Sequence, residues 1–314
     1  MNKTTKYLSP ILLLLASVIW GFAFSAQKAA ESVPPLTLGM ARSFLGGIFL
    51  IFVVVIFDKS FNTGRTLFSK SRVIDLNKNE LVGGAVCGAV LALASFFQQL
   101  GINGGTDAGK ASFITALYVV LVPIYALFLR KRAPINVWIS VVLAVVGFYF
   151  LCIGTSFTIA LTDVYVLLCA FIFPIHILAV DRFSPLCDGV RMSMVQFFVA
   201  GILNLIFALI FEGPISFGLI FEHIGPICFL GIGSSGIAYT LQIIGQRGAN
   251  PAAASILLSL ESVFGIIGSA LFLSEKMQPR EYVGCAVVFI AVLLSQIDFT
   301  AIFKSKREQD GASE

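Results

Sequence analysis

The stretch from residue 251 to residue 273 reads PAAASILLSLESVFGIIGSALFL, and Glu261 near its middle is its only charged residue. A mainly apolar run of about 20 residues is what a helix needs to cross the hydrocarbon core of a bilayer. The whole chain shares this character, because 58% of its residues are hydrophobic and 12% are charged. Soluble domains carry roughly 25% charged residues. The sequence therefore predicts a protein for which lipid is the main solvent.

Ten such runs predict an all-α integral membrane protein with ten transmembrane helices. The predicted helices cover residues 10–28, 36–57, 80–101, 107–129, 135–153, 162–180, 190–211, 225–244, 251–273 and 281–298. A short segment at 1–9 precedes them, and a polar tail at 299–314 follows them. Most of the 21 Lys and Arg residues fall on one side of the membrane if both ends of the chain are inside. We therefore expect a multi-pass protein of the cell membrane with both termini in the cytoplasm.

The ten runs divide into two similar halves, residues 10–153 and residues 162–298. Phe44, Gly47 and Ile48 in the first half match Phe198, Gly201 and Ile202 in the second, and Tyr118 matches Glu261. Five crossings is an odd number, so the second copy enters the membrane in the opposite direction. Inverted repeats are a recurrent transporter architecture with the substrate held near the midplane between them. Gly21 and Pro174 also correspond, and they mark places where a helix could bend beside such a site.

Glu261 is the clearest candidate for a functional residue. It lies about ten residues into its run, or roughly 15 Å along a helix axis, which is near the middle of a bilayer. A charge there costs about 2.5–3.5 kcal/mol on insertion scales, so a buried carboxyl is a candidate for function. Glu261 either binds a cationic group or a coupling proton, or it is a structural carboxyl. Gly265 and Gly268 on the same face predict close approach of another helix.

Six side chains are predicted to line a midplane cavity: Trp20, Gln98, Thr115, Tyr118, Gln242 and Glu261. Thr115 and Tyr118 share one helical face, and a hydroxyl stripe suits the wall of a polar cavity. Packing explains the aromatic residues equally well, and hydrogen bonds between helices explain the glutamines equally well.

Arg42, Lys110 and His176 are secondary candidates. Arg42 and Lys110 lie toward the outer ends of their predicted helices, where a cation can bind a carboxylate or extend outward to water. His176 follows Pro174 by two residues, and it is either a structural residue or a proton relay.

Motifs typical of other functions fail in their context. Gly231–Gly236 fits G-x-G-x-x-G, yet it lies in an apolar run without a preceding strand, so close helix packing explains it better than a dinucleotide site. The histidines and cysteines lack the spacing of metal ligands, and a net charge of +4 without a basic face argues against nucleic acid as a partner. The sequence predicts neither an enzyme nor a bound cofactor or metal.

The chain resembles the EamA family of the drug/metabolite transporter superfamily from about residue 10 to residue 298. The resemblance rests on Trp20-Gly21, Arg42, Gln242, the run from Asp107 to Pro123, and Ser259-Leu260-Glu261 with the later Glu275. It implies ten helices in inverted repeats, a central cavity, and gradient-driven movement of small metabolites, usually outward. Many relatives have proline directly after the glutamate, whereas this chain has Ser262, which leaves a helix break at this position open.

These observations predict a secondary active transporter, working as an exporter, of a small metabolite such as an amino acid, an amine or a drug-like compound. It would work by alternating access around the midplane cavity. The predicted partners are a small-molecule substrate and the lipid bilayer, with a proton as the candidate coupling ion. The oligomeric state is left open. The alternative is a non-transporting membrane scaffold or receptor whose polar residues only hold helices together.

Overall fold

A computed structural model describes residues 3–60, 76–131, 133–152, 160–247, 249–273 and 279–295, and every regular element in these ranges is helical. Glu275 lies outside the described residues. The helices are α1 (Lys3–Ala29), α2 (Pro35–Ser60), α3 (Lys78–Asn103), α4 (Ala108–Ala116), α5 (Tyr118–Phe128), α6 (Ile135–Cys152), α7 (Leu161–Phe183), α8 (Gly189–Phe211), α9 (Phe217–Glu222), α10 (Ile224–Cys228), α11 (Tyr239–Gly245), α12 (Pro251–Leu258), α13 (Glu261–Phe272) and α14 (Pro279–Ser295). A 3-10 turn (Ser184–Leu186) follows α7, and a π-helical segment (Phe229–Ala238) connects α10 to α11.

The lengths and apolar composition of these helices confirm the predicted all-α membrane class. Eight continuous or broken helices in the described ranges are long and apolar enough to cross a membrane. Two shorter apolar helices, Ile135–Gly147 and Tyr282–Ser295, fall where the fifth and tenth crossings are predicted. The count of ten crossings therefore stays a prediction.

Two of the spans are interrupted near their middle. The span Ala108–Phe128 breaks at Leu117, between α4 and α5, and the span Pro251–Phe272 breaks at Ser259 and Leu260, between α12 and α13. At each break the backbone N–H of a leucine donates to a carbonyl three residues back, over 3.2 Å at Leu117 and 3.3 Å at Leu260.

The second break forms without a proline after Glu261, which answers the question left open by Ser262. One serine within the break and one just after it bond to backbone carbonyls three residues back. Ser259 Oγ donates to Ile256 O and Ser262 Oγ donates to Ser259 O, each over 2.8 Å. Such bonds weaken or bend a helix because they compete for its carbonyl groups.

α1 and α7 continue as helices through Gly21 and Pro174, so neither helix is interrupted there, and the bends suggested by these residues stay a prediction. Gly21 instead allows α1 to approach α13. A Cβ atom added at Gly21 would lie 2.2 Å from Phe264 Cβ, well inside van der Waals contact. α1 also begins at Lys3 rather than at residue 10, and Pro10 lies inside it.

The contact between α2 and α8 is reciprocal. A Cβ at Gly47 would meet the ring of Phe198 at 3.2 Å, and a Cβ at Gly201 would meet the ring of Phe44 at 3.0 Å. The two rings lie 6.4 Å apart between centroids. Because each glycine of one helix faces the aromatic ring of the other, the packing has the form that inverted repeats would produce.

Candidate functional site

A cavity of about 30 Å³ lies between the interrupted spans and the helices packed against them. It is lined by Trp20, Ala23, Phe24, Gln27, Arg42, Gln98, Thr115, Tyr118, Phe173, His176, Ile177, Ser234, Tyr239, Gln242, Leu258 and Glu261. A site needs roughly 10–15 Å³ to hold one water molecule, so this cavity has room for about two.

Glu261 and Tyr118 occupy equivalent places in the two interrupted spans, since each is the first residue of the helix that follows the break. Glu261 is buried, with 5% of its surface exposed. The Tyr118 hydroxyl lies beside the carboxyl of Glu261. Even so, neither Tyr118 Oη nor Glu261 Oε1 has a hydrogen-bond partner of normal geometry in the described part of the chain. The helix breaks thus bring a carboxyl and a hydroxyl to one wall of the cavity.

Arg42 turns inward to the cavity rather than outward to water, and 7% of its surface is exposed. Its Nη2 donates to Ser234 Oγ over 3.2 Å and its Nε donates to Ser235 Oγ over 3.4 Å. Both serines belong to the π-helical segment, where the backbone N–H of Tyr239 donates to Ser234 O five residues back. π-Helical turns are rare and often mark functional sites. The alternative in which Arg42 extends to the membrane surface does not describe this structure.

Tyr239 is at the centre of the aromatic side chains around the cavity. Its ring centroid lies 4.6 Å from that of Trp20, 5.4 Å from that of Phe197 and 5.7 Å from that of His176. Ring pairs at these separations add about 0.5–1.5 kcal/mol each beyond the area they bury. The aromatic rings therefore hold one wall of the cavity in place.

The polar side chains around the cavity are only partly satisfied by one another. Gln98 Nε2 donates to Thr115 Oγ1 over 3.1 Å, and His176 Nε2 and Gln196 Oε1 are 3.1 Å apart. Six buried polar atoms of the lining have no hydrogen-bond partner among the described residues: Trp20 Nε1, Gln27 Oε1, Tyr118 Oη, His176 Nδ1, Gln242 Oε1 and Glu261 Oε1. Each buried atom of this kind costs about 1–3 kcal/mol, so such a cluster needs an explanation.

The structure brings the six residues predicted for a cavity, Trp20, Gln98, Thr115, Tyr118, Gln242 and Glu261, to this one cavity. Two of the three secondary candidates, Arg42 and His176, also line it. Lys110 is elsewhere. Its Nζ lies 2.6 Å from Asp163 Oδ2, so a carboxylate of the protein itself holds this lysine.

Sequence reasoning missed Tyr239, Ser234 and Ser235. Tyr239 precedes Gln242 by three residues, and residues three apart share a helical face, so the glutamine could have indicated the tyrosine. Ser234 and Ser235 lie inside the Gly231–Gly236 pattern, whose glycines indicate close helix packing but give no sign of a role for the serine hydroxyls. The glycines of that motif do pack closely, since a Cβ at Gly231 would meet Leu45 at 2.8 Å and one at Gly236 would meet Phe49 at 2.6 Å.

The described residues offer no group of three or more His, Cys, Asp or Glu side chains arranged to hold a metal ion. The chemistry of the lining is instead that of hydrogen bonding, ionic contact and aromatic packing, which suits reversible binding of an organic molecule.

Fold and cavity together define a class of protein, a multi-pass helical membrane protein whose interrupted helices enclose a polar cavity. The model of the EamA-like transporter family matches residues 8–153 and again residues 160–296. The chain belongs to this family, and through it to the drug/metabolite transporter superfamily. It is a membrane transporter of this type, working in a lipid bilayer on a small-molecule substrate.

Individual relatives agree with the family match. The chain is 28% identical to an uncharacterized transporter of Archaeoglobus fulgidus over 284 aligned residues. These residues make up 90% of this chain and 83% of the relative. It is 23% identical to an uncharacterized transporter of Methanothermobacter thermautotrophicus, over 94% of this chain and 87% of the relative. YoaV, an uncharacterized transporter of Bacillus subtilis, is 19% identical over 92% of this chain and 96% of its own.

The fold is shared with a solved crystal structure. It is 17% identical in sequence and aligns with a TM-score of 0.71 over 91% of this chain and 96% of the other. At this identity the likeness concerns the fold alone.

Proposed function

We propose that the protein is a secondary active transporter, working as an exporter, of a small metabolite such as an amino acid, an amine or a drug-like compound. The substrate binds in the cavity between Trp20, Gln98, Thr115, Tyr118, Gln242 and Glu261. The membrane family and the named transporters among its relatives support the general class.

The cluster of unsatisfied polar atoms at the cavity carries the proposal. A carboxyl oxygen of Glu261, the indole N–H of Trp20 and the hydroxyl of Tyr118 are buried in the lining of this cavity, and none of the three has a hydrogen-bond partner of normal geometry in the described chain. A structure that only needed to hold its helices together would gain free energy by pairing such groups or replacing them with apolar ones. A polar molecule that enters the cavity can supply the missing partners.

The small volume of the cavity supports alternating access as the proposed mechanism. About 30 Å³ is far less than the roughly 300–1,000 Å³ of a typical ligand pocket, so the surrounding helices have to separate before a metabolite fits. In the proposed arrangement, ten crossings form two inverted repeats, residues 10–153 and 162–298, with both termini in the cytoplasm. The double match of the family model and the reciprocal contact of α2 with α8 support the repeats.

A proton is the candidate coupling ion, since a carboxyl near mid-membrane is the kind of group that takes up and releases protons in transporters. In the proposed mechanism, Glu261 is the carboxyl that takes up and releases the proton. In it, substrate and proton bind to Glu261 in alternation.

The test begins with metabolites compared between cells that contain the protein and cells that lack it. The compounds whose distribution changes are then assayed with the purified protein in proteoliposomes. Glu261→Gln is expected to reduce their transport by roughly 30-fold or more, since loss of one partner of a buried charged contact costs about 2–5 kcal/mol. Glu222→Gln is the control, because it removes an exposed carboxyl that does not line the cavity. It should leave transport unchanged.

A folded Glu261→Gln protein that transports and couples to protons like the wild type would remove Glu261 from the mechanism. Failure of the wild type to move any compound across proteoliposome membranes would favour the scaffold or receptor.

A further inference from the structure

A second cavity opens on the outside of the helix bundle, between α2, α3 and α8. Its volume is about 220 Å³, and it shares no residue with the central cavity. Most of its wall is formed by Ala92, Leu93 and Phe96 of α3 and by Leu203, Phe207 and Phe211 of α8. Leu93, Phe207 and Phe211 are exposed, so this cavity is a groove that is open along one side. We refer to it as the α3–α8 groove.

The positions of two glycines in α3 explain why the groove exists. A Cβ added at Gly88 would lie 2.4 Å from Gln196 O, so α3 and α8 are in close contact at this level. The next glycine of α3, Gly101, faces α7 instead, since its Cβ would lie 2.4 Å from Val166 Cγ2. α3 therefore approaches α8 at one end and α7 at the other, and the groove is the gap that this leaves beside α8.

The groove runs along one half of the membrane. α8 has 23 residues, or roughly 34 Å at 1.5 Å per residue, which is close to the hydrocarbon thickness of about 30 Å. Its last residue, Phe211, lines the groove, and Leu203 lines it eight residues deeper, or roughly 12 Å along the axis. The groove therefore extends from the membrane surface toward the midplane, and the molecules at its open side are lipids rather than water.

An acyl chain is the occupant that matches the groove in shape and polarity. The lining is apolar except for Asn204, whose Nδ2 donates to Ala200 O of the same helix over 2.9 Å. Apolar cavities of about 150 Å³ stay free of water and take up apolar molecules. A groove left empty would also lose the dispersion contacts of its lining. A helix is too wide, because about 12 Å of a cylinder 10–12 Å across occupies on the order of 1,000 Å³.

A carboxylate lies at the mouth of the groove. Glu212 follows Phe211 directly, and its Oε1 accepts from the N–H of Leu36, another lining residue, over 2.7 Å. Its Oε2 accepts from the N–H and the hydroxyl of Thr37, each over 2.8 Å. These donors are uncharged, and none of the ion pairs in the described ranges includes Glu212. An ionised carboxylate has about four acceptor positions, so a cationic donor can still bind there.

The charge of Glu212 distinguishes between lipid headgroups. A primary ammonium group supplies both a positive charge and N–H donors, and hydrogen bonds between charged groups are about twice as strong as neutral ones. A quaternary ammonium group has the charge but no N–H donor, and a headgroup with net negative charge is repelled. The groove itself does little to distinguish lipids, because lipid tails are as apolar as the side chains that line it.

From these observations we propose that the α3–α8 groove binds one phospholipid with a primary ammonium headgroup, as in phosphatidylethanolamine. One acyl chain lies in the groove, and the ammonium group binds Glu212. The proposal does not depend on the transport function, because no residue of the central cavity takes part in it.

The experiment uses three phospholipids that carry the same photoreactive diazirine acyl chain and differ only in headgroup: phosphatidylethanolamine, phosphatidylcholine and phosphatidylglycerol. Each is added at the same mole fraction to liposomes of unlabelled phosphatidylcholine that contain the full-length protein. Labelled peptides are identified by mass spectrometry after irradiation. Phosphatidylethanolamine is expected to label residues 89–96 and 203–211 about 10-fold more than the other two lipids do, relative to the exposed positions Val142 on α6 and Phe289 on α14.

Two pairs of variants separate the acyl chain from the headgroup. Ala92→Phe fills the groove and should abolish the excess labelling of α3 and α8, whereas Ala286→Phe on the exposed face of α14 should leave it unchanged. Glu212→Gln removes the charge and should bring the three lipids within a few-fold of one another. Glu222→Gln, which removes an exposed carboxyl outside the groove, should keep the preference of the wild type.

The proposal is overturned if the three lipids label the groove equally in the wild type, if residues 89–96 and 203–211 are labelled no more than Val142 and Phe289, or if a folded Ala92→Phe protein keeps the excess labelling. A folded Glu212→Gln protein that keeps the wild-type preference would remove Glu212 from the site and overturn the headgroup assignment. The comparison of lipids on the wild type needs no variant, so it decides the matter even if Ala92→Phe does not fold.

Discussion

Gly21 allows the backbones of α1 and α13 to approach closely at a single residue. The space that a side chain would need is filled by Phe264 and by the backbone of Gly265, at 2.2–2.8 Å from the position of a Cβ. The facing glycine is equally constrained, since a Cβ at Gly265 would lie 2.5 Å from Ser112 Oγ of α4. Three helices that border the cavity, α1, α4 and α13, therefore meet at a point where α1 and α13 each have a glycine.

Replacement of Gly21 by alanine is expected to destabilise the protein by about 1–3 kcal/mol, because the added methyl group overpacks a site without free volume. The measurement is the apparent temperature of thermal unfolding in detergent. Gly218→Ala in α9 is the control, since a Cβ there meets no heavy atom within 4 Å. It should be neutral or slightly stabilising, as alanine has the higher helix propensity. A Gly21→Ala protein as stable as the wild type would contradict the close approach.

At the scale of whole helices, the start of α2 is held by a residue at the end of α8. Glu212 Oε1 accepts from the backbone N–H of Leu36 over 2.7 Å, and Oε2 accepts from the N–H and the hydroxyl of Thr37, each over 2.8 Å. The first N–H groups of a helix have no partner within it, and a carboxylate there also interacts favourably with the helix dipole.

Glu212→Gln should cost about 0.5–2 kcal/mol of stability, because the amide has one acceptor oxygen in place of two and carries no charge. Thermal unfolding of the variant against the wild type tests this. Glu222→Gln serves as the control, since Glu222 is exposed. Equal stability of the two variants would mean that Glu212 contributes little as a cap.

Ion pairs connect α7 to the interrupted span of α4 and α5 near both ends. Lys110 at the start of α4 is paired with Asp163 at the start of α7, and Lys131 just beyond α5 is paired with Asp181 near the end of α7. Since α4 and α5 belong to the first proposed repeat and α7 to the second, both pairs cross the proposed boundary. A movement that separates α7 from this span has to break at least one of them.

The pair of Lys110 and Asp163 is expected to show a coupling energy of about 1 kcal/mol in a double-mutant cycle with Lys110→Gln and Asp163→Asn. Asp163→Asn should be the more harmful single change, because Asp163 also accepts from Thr106 Oγ1 over 3.0 Å and from the N–H of Ala160 over 2.8 Å. Lys110 is partly exposed, which reduces its contribution. Strict additivity of the two changes in unfolding experiments would show that the pair does not couple.

For the molecule as a whole, the proposed transport requires a conformational change, because a cavity of about 30 Å³ is too small for a metabolite. Residues on its wall should become accessible to water-soluble reagents when the helices separate, whereas residues packed elsewhere in the same span should not. The interrupted span of α4 and α5 offers both kinds of residue. Thr115 lines the cavity, and its neighbour Ala116 is fully buried without lining it.

We therefore expect Thr115→Cys to react with a small membrane-impermeant thiol reagent and Ala116→Cys to stay protected, in a protein whose six native cysteines have been replaced. The measurement is the labelled fraction in intact cells and in inside-out vesicles. Complete protection of both cysteines from both sides would argue for a rigid scaffold. Equal labelling of both would mean that this part of the structure is not packed as described.

Much of the candidate site was predictable from the sequence. A polar residue within a long apolar run is easily recognised, and its side chain is costly to place in a membrane. Glu261, Gln98 and Gln242 stand out for this reason. Tyr239 did not, because a tyrosine in a membrane helix is also an ordinary packing residue, and only its position between Trp20 and His176 distinguishes it.

The sequence by itself determined that this protein is helical and lies in a membrane, since backbone groups in lipid have to be satisfied within each helix and apolar runs of sufficient length are visible in one dimension. It also indicated which polar residues are exceptional. Only the tertiary structure decided that Arg42 faces the cavity while Lys110 pairs with Asp163, and that the helices break at Leu117 and Ser259 rather than at Gly21. These outcomes depend on which neighbouring helix supplies a partner or fills the space, and that information is not contained in the pattern of any single run.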